Sequence, residues 1–145
     1  MAITSAICTS FKQELLVGTH NFTATTGNTF KIALFTSDAS LGASTTAFST
    51  SNEITNSSGT AYTSGGATLT SVTPTTSGTT ALCDFADVSY TSASFTANGA
   101  LIYNSSQSNK AVCAIAFGSD KTVTSGTFTI QFPTADATNA IIRLA

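Results

Sequence analysis

A single histidine, His20, is the one imidazole that could serve as a general base, and serines are abundant around it. Nucleophilic catalysis needs a hydroxyl or thiol within reach of that base and a third group to orient it. No carboxylate flanks His20 in sequence, and no Gly-x-Ser-x-Gly elbow occurs. His20 therefore reads as a loop or surface residue. A glycosidase pair would have to come from Asp38, Glu53, Asp84, Asp87, Asp120 or Asp136. No spacing pairs them, and the chain has no Trp to form a sugar platform.

Metal and phosphate chemistry find as little support. Asp84 and Asp87, in "CDFADVSY", are three residues apart, which in an extended chain places them on opposite faces. They read as solvated strand-end carboxylates, and no Asp-x-Asp-x-Asp-Gly calcium loop is present. "SGGATLT" has paired glycines, but no lysine follows and no helix opens there. "SNK", at 108–110, has no Ser-x-x-Lys partner and reads as a turn. Cys8, Cys83 and Cys113 match no zinc or redox spacing. They read as small buried apolar thiols, with a Cys83–Cys113 bridge left open. No catalytic, metal or cofactor site is expected.

Composition narrows the partners. Of 145 residues only 8 % are charged, against about 25 % in an average domain. Five Lys and Arg cannot form the basic stripe that nucleic acid needs, nor a basic membrane-binding face. No apolar run approaches the ~20 residues of a spanning helix. The start "MAITSAICTSFKQELL" has no basic n-region and no long apolar stretch, so no secretory signal is expected. Synthesis in a reducing cytoplasm is the expectation. The sequons at Asn21, Asn56 and Asn104 are expected to arise by chance in so Ser- and Thr-rich a chain. Ten Phe and three Tyr supply core material, enough for one domain spanning 1–145.

The elements that would position these groups are mostly strands. Residues 5–17 are the exception. Ile7, Phe11 and Leu15 fall at i, i+4 and i+8, with Ile3 just ahead, which predicts an amphipathic helix. Thr4 or Ser5 would cap it, and Gly18 would end it. Lys12, Gln13 and Glu14 lie off the apolar stripe. After Gly18 the period changes to two, which marks 1–18 as an N-terminal arm or helix of the single domain. "TFKIALFT" (29–36) and "GTFTIQF" (126–132) alternate, the second most cleanly. "ATLTSV", "TTALCDF", "SYTSASFTA", "GALIY", "KAVCAIAF" and "NAIIRLA" complete the predicted strands.

Turn signals fall at Gly27-Asn28, Gly65-Gly66, Pro74 to Gly78, Asn98-Gly99, Gly118 to Asp120 and Ser125-Gly126. "GALIY" and "KAVCAIAF" are apolar on both faces, so "NSSQSN" between them reads as a solvated hairpin loop. The long region 37–66 has little periodicity, and Phe48 and Tyr62 are its expected pins. The predicted fold is all-β: a single antiparallel β-sandwich, jelly-roll-like, with a short N-terminal amphipathic helix. Oligomer contacts are expected at the helix and the last strand, through Ile3, Ile7, Phe11, Leu15, Ile141, Ile142 and Leu144.

Along its whole length the chain resembles a group of short virion proteins of tailed bacteriophages. The resemblance rests on "SAICTSFKQELL", "FKIALFTSDASLGASTTAF", "GGATLT", "GALIYNSSQSNKAVCAIAFG", "GTFTIQFP" and "NAIIRLA", in that order. It implies a β-rich capsid decoration, or cement, protein on the head surface, made in the host cytoplasm. Its partners would be the major capsid protein and copies of itself, as dimer or trimer. A neck or tail component is the alternative. So is a glycan- or host-surface-binding module, for which Tyr62, Tyr90 and Tyr103 would have to be exposed. Truncating residues 1–17 is expected to weaken assembly more than folding.

Overall fold

The computed structural model describes residues 2–55 and 61–145; the sequon at Asn56 lies outside them. In chain order the elements are β1 (Ala6–Ile7), α1 (Thr9–Leu16), β2 (Phe30–Phe35), β3 (Ala67–Thr68), β4 (Ser71–Ser77), β5 (Thr80–Phe85), β6 (Val88–Asn104), β7 (Lys110–Ile130) and β8 (Ile142–Leu144). They form two antiparallel sheets, β1-β7-β6-β2-β3 and β4-β5-β8. The expected antiparallel sandwich with one short helix is the observed architecture; the two sheet orders do not establish a jelly roll. The aromatic core joins the sheets: Phe30 of β2 stacks on Phe22 at 4.2 Å, and both meet Phe85 of β5.

The central strands are where the sequence is apolar on both faces. Ala100, Leu101, Ile102, Ala111 and Val112 are fully buried, as is Ile32 across the sheet. Such strands need cover on both sides, and they receive it. Farther out, β7 changes character. Phe128 and Ile130 are half-buried and alternate with exposed Thr127 and Thr129, as predicted for a one-sided strand.

Three predicted turns are absent as chain reversals. Asn98-Gly99, Gly118 to Asp120 and Ser125-Gly126 all lie inside β6 or β7, which run 17 and 21 residues. Strands this long survive by bending at bulges. Between the pairs Ala97↔Lys121 and Gly99↔Ala116, β7 advances five residues while β6 advances two. Gly118 takes up the excess at φ +81°, and Asn98 Nδ2 bonds Asp120 Oδ1 across it at 2.8 Å. Glycine and asparagine signal a left-handed φ, which a bulge uses as readily as a turn. Pro74 likewise sits within β4, an edge strand, where its register shifts between Val72 and Thr75. The reversal itself is Gly78-Thr79.

The helix starts later than predicted. Ala6 and Ile7 pair with Ala114 and Cys113 of β7, and the Cys8 N–H bonds Val112 O at 2.9 Å. Tertiary pairing thus holds residues 6–8 extended against their helical spacing. Neither Thr4 nor Ser5 caps α1: the Thr4 N–H bonds Leu41 O, and Ser5 Oγ accepts from Ala116 N–H. The C-terminus is as expected. Gly18, at φ +75°, sends its N–H to Leu15 O, and Thr19 N–H reaches Glu14 O, a Schellman pair. Cys8 and Phe11 are core residues, 0 % and 1 % exposed, so the N-terminal segment packs into the body of the domain.

Both expected pins of region 37–66 hold. Phe48 stacks on Tyr103 at 4.4 Å, and Tyr62 is fully buried. The ladder continues into this region through Phe35↔Glu53 and Ala47↔Lys110.

Candidate functional site

The seven predicted contact residues separate into four places. Phe11, Leu15, Ile142 and Leu144 converge, with Phe22 and Leu82, around an apolar recess of about 120 Å³ between α1 and the smaller sheet. Phe11 and Ile142 are buried there, so they hold the helix to the body. Ile3 bridges to Leu41 and lies over Gly99, where an added Cβ would be 2.7 Å from Ile3 Cδ1. Ile7 stands opposite Cys113 in β1. Ile141 faces a different groove, on β7. Leu144 stays largely exposed, and beside the predicted set Leu16 and Val17 are 88 % and 67 % exposed. Hydrophobicity gave no sign of this, because it does not separate an outward-facing Leu or Val from a core one.

His20 is not a surface residue. Its side chain is fully buried, and its Nε2 lies 2.6 Å from Glu14 Oε2. The ring packs 4.8 Å from the ring of Phe11. Glu14, predicted off the apolar face, turns inward from α1, 8 % exposed. One helical turn carries it to the residue just past the Schellman cap, so the carboxylate that orients His20 is six residues away and absent from its immediate flanks. Asn104 closes the other side, and it too was expected in a solvated loop; it is fully buried. Its Nδ2 lies 3.0 Å from His20 Nδ1 and 3.0 Å from Asn28 Oδ1.

Backbone donors fix the direction of every bond in this network. Ser106 N–H makes Asn104 Oδ1 an acceptor, and Asn21 N–H does the same for Asn28 Oδ1. Asn104 must then present its NH₂ to His20 Nδ1. With Nδ1 accepting, the network assigns the ring proton to Nε2, which donates to Glu14. Lys110 Nζ, 3.3 Å from Glu14 Oε1 and 41 % exposed, supplies a modest countercharge. A catalytic base needs a lone pair aimed at a nucleophile. The free lone pair of this ring points at an amide hydrogen.

A second closed cluster surrounds Glu53, 8 % exposed. Tyr62 Oη donates to Glu53 Oε1 at 2.5 Å, Gly65 N–H to the same oxygen at 2.6 Å, and Ser64 Oγ to Oε2 at 3.0 Å. Tyr62 Oη also accepts from Leu34 N–H at 3.0 Å, and Tyr103 Oη donates to Gly65 O at 2.6 Å. Burial, then the Glu53 bond, pushes the Tyr62 hydroxyl far above its ordinary pKa. Tyr62, Tyr90 and Tyr103 are all buried, which overturns their candidacy as exposed sugar platforms.

The thiols are free. Burial raises Cys8 to about 11, with the Glu14 charge adding to it; Cys83 to about 11; and Cys113 to about 12. Such thiols are poor nucleophiles at neutral pH. Asp87 Oδ1 accepts from Phe132 N–H at 2.9 Å and so serves the chain itself. Among the described residues no group of three His, Cys, Asp or Glu side chains gathers as a metal site, and no helix is long and apolar enough to cross a membrane.

A groove of about 530 Å³ lies on β7. Phe117 and Phe128 lie on its walls with ring centroids 6.2 Å apart, because β7 bends between them. Fold and sites together define an all-β two-sheet protein whose buried polar clusters are closed on internal partners. No family model, no curated protein and no solved structure matches the chain.

Proposed function

We propose that this chain is a non-enzymatic structural subunit of a tailed-phage particle, a head decoration or cement protein that braces neighbouring major capsid subunits. The whole-chain resemblance suggests the class. The observation that carries the non-enzymatic part is the His20 ring, with both nitrogens engaged by Glu14 and Asn104 and none left for a substrate. Low surface charge favours this role, since repeated copies then pack closely without like-charge repulsion. The exposed Leu16, Val17 and Leu144 suit contacts to a shell or to a second copy better than a solitary existence.

A cryo-electron micrograph of the particle with this chain located tests the reading. Ordered copies across the head lattice are expected. A few copies at the neck or tail tip would favour the alternative placement, and binding of the isolated protein on a glycan array would favour a recognition module.

A further inference from the structure

We infer that the β7 groove receives an extended segment of another polypeptide in which bulky apolar side chains stand beside a carboxylate. The inference rests on the reading of this chain as an assembly subunit. The groove is lined by Ile115, Phe117, Phe128, Ile130 and Ile141, so its walls are apolar. Among its described lining residues the one charged group is Lys121. That ammonium bonds only Ser119 Oγ, at 3.0 Å, and among the described residues no carboxylate pairs with it. A cation at the rim of an apolar trough selects an anion attached to an apolar body.

Size and edge chemistry choose the kind of body. A trough of about 530 Å³ falls in the range of about 300–1,000 Å³ that takes a ligand-sized body, room for a few inserted side chains. Beyond Cys113 and Ala114, where β1 pairs, no strand among the described residues covers the outer edge of β7. From Thr122 to Ile130 that edge carries neither charge nor proline, two of the usual guards against strand addition, while register shifts opposite Tyr90–Phe95 supply a third, a bulged edge. An added strand would satisfy the free backbone groups and drop alternate side chains into the trough.

Isotope-labelled full-length protein is titrated with acetyl-LTFTLD-amide and acetyl-LTFTLK-amide and followed by amide chemical shifts. The acidic peptide is expected to shift Phe117, Phe128 and Ile130. In Lys121→Glu its affinity should fall about fivefold, the upper worth of one exposed ion pair, and the basic peptide should gain by a similar factor. Lys121 is exposed, and an unchanged melting curve shows that the variant folds. No shift at millimolar peptide would overturn the inference. So would equal affinity for both peptides, occupation of the groove by decanoate alone, or closure of the groove by self-association in sedimentation. None of these outcomes depends on particles, so the placement on the head stands or falls separately.

Discussion

Replacing Tyr62 with Phe should cost far more than the single oxygen removed suggests. The ring stays in place, so no cavity opens. Two buried groups are affected: the Leu34 N–H inside β2 loses its partner, and Glu53 Oε1 loses one of its two donors. An orphaned buried backbone donor costs about 1–3 kcal/mol, and a hydrogen bond to a charged acceptor is worth about 1.5–3 kcal/mol. Glu53 keeps Ser64 and Gly65, which puts its loss at the low end and the sum near 3 kcal/mol. With about 2.1 cal/mol/K of unfolding entropy per residue, a chain of 145 residues should lose about 10 °C in Tm. Tyr103→Phe is the control. It removes one bond to the neutral Gly65 O and should cost about 1 kcal/mol, or about 3 °C. Calorimetry and urea unfolding measure both. If Tyr62→Phe melts within a degree or two of Tyr103→Phe, the Glu53 cluster does not anchor region 37–66 as described.

Deletion of residues 2–17 should abolish cooperative unfolding, because it removes Cys8, Phe11 and Glu14 from the interior; a truncated protein with a sharp melting transition would show the arm to be dispensable after all. Asn104→Leu should destabilise by about 2–4 kcal/mol, since one side chain serves His20, Asn28 and Ser106. Imidazole ¹⁵N shifts of the native protein should show His20 protonated on Nε2 alone, and a mixture of tautomers would contradict the network. Stability should fall in alkali. The folded state holds protons on Cys8, Cys83, Cys113 and Tyr90 up to about 11, 11, 12 and 12, while the unfolded chain releases them from about 9 for Cys and 10 for Tyr. The unfolded state then binds fewer protons. This stability is whole below pH 9 and is lost as pH rises toward 12. Urea midpoints that stay flat from pH 8 to 11 would refute it.

The fold class was legible because the period of two is strong in particular places, Phe128-Thr129-Ile130 above all, and because the both-faces-apolar stretches at 100–103 and 111–114 allow only a central position. Bulges were not legible. Gly99, Gly118 and Gly126 carry the same signal as turn glycines, and only the long-range β6–β7 pairing makes them interior. The N-terminal boundary failed for a related reason: residues 6–8 have helical spacing but a strand partner more than a hundred residues away. The site was the least legible. His20, Glu14 and Asn104 come from a loop, a helix and a strand end, and burial of a Glu on a helix with so few charges has no local signature. The expected contact residues were chosen by hydrophobicity, which cannot separate Phe11, a core residue, from Leu16, an exposed one.

The most direct test of the central claim, that this chain acts by position in a shell and without chemistry, is its copy number in purified particles. Quantitative mass spectrometry against the major capsid protein should give a ratio of the same order as that protein's own abundance. A chain missing from purified particles, or present at a handful of copies, would contradict the account.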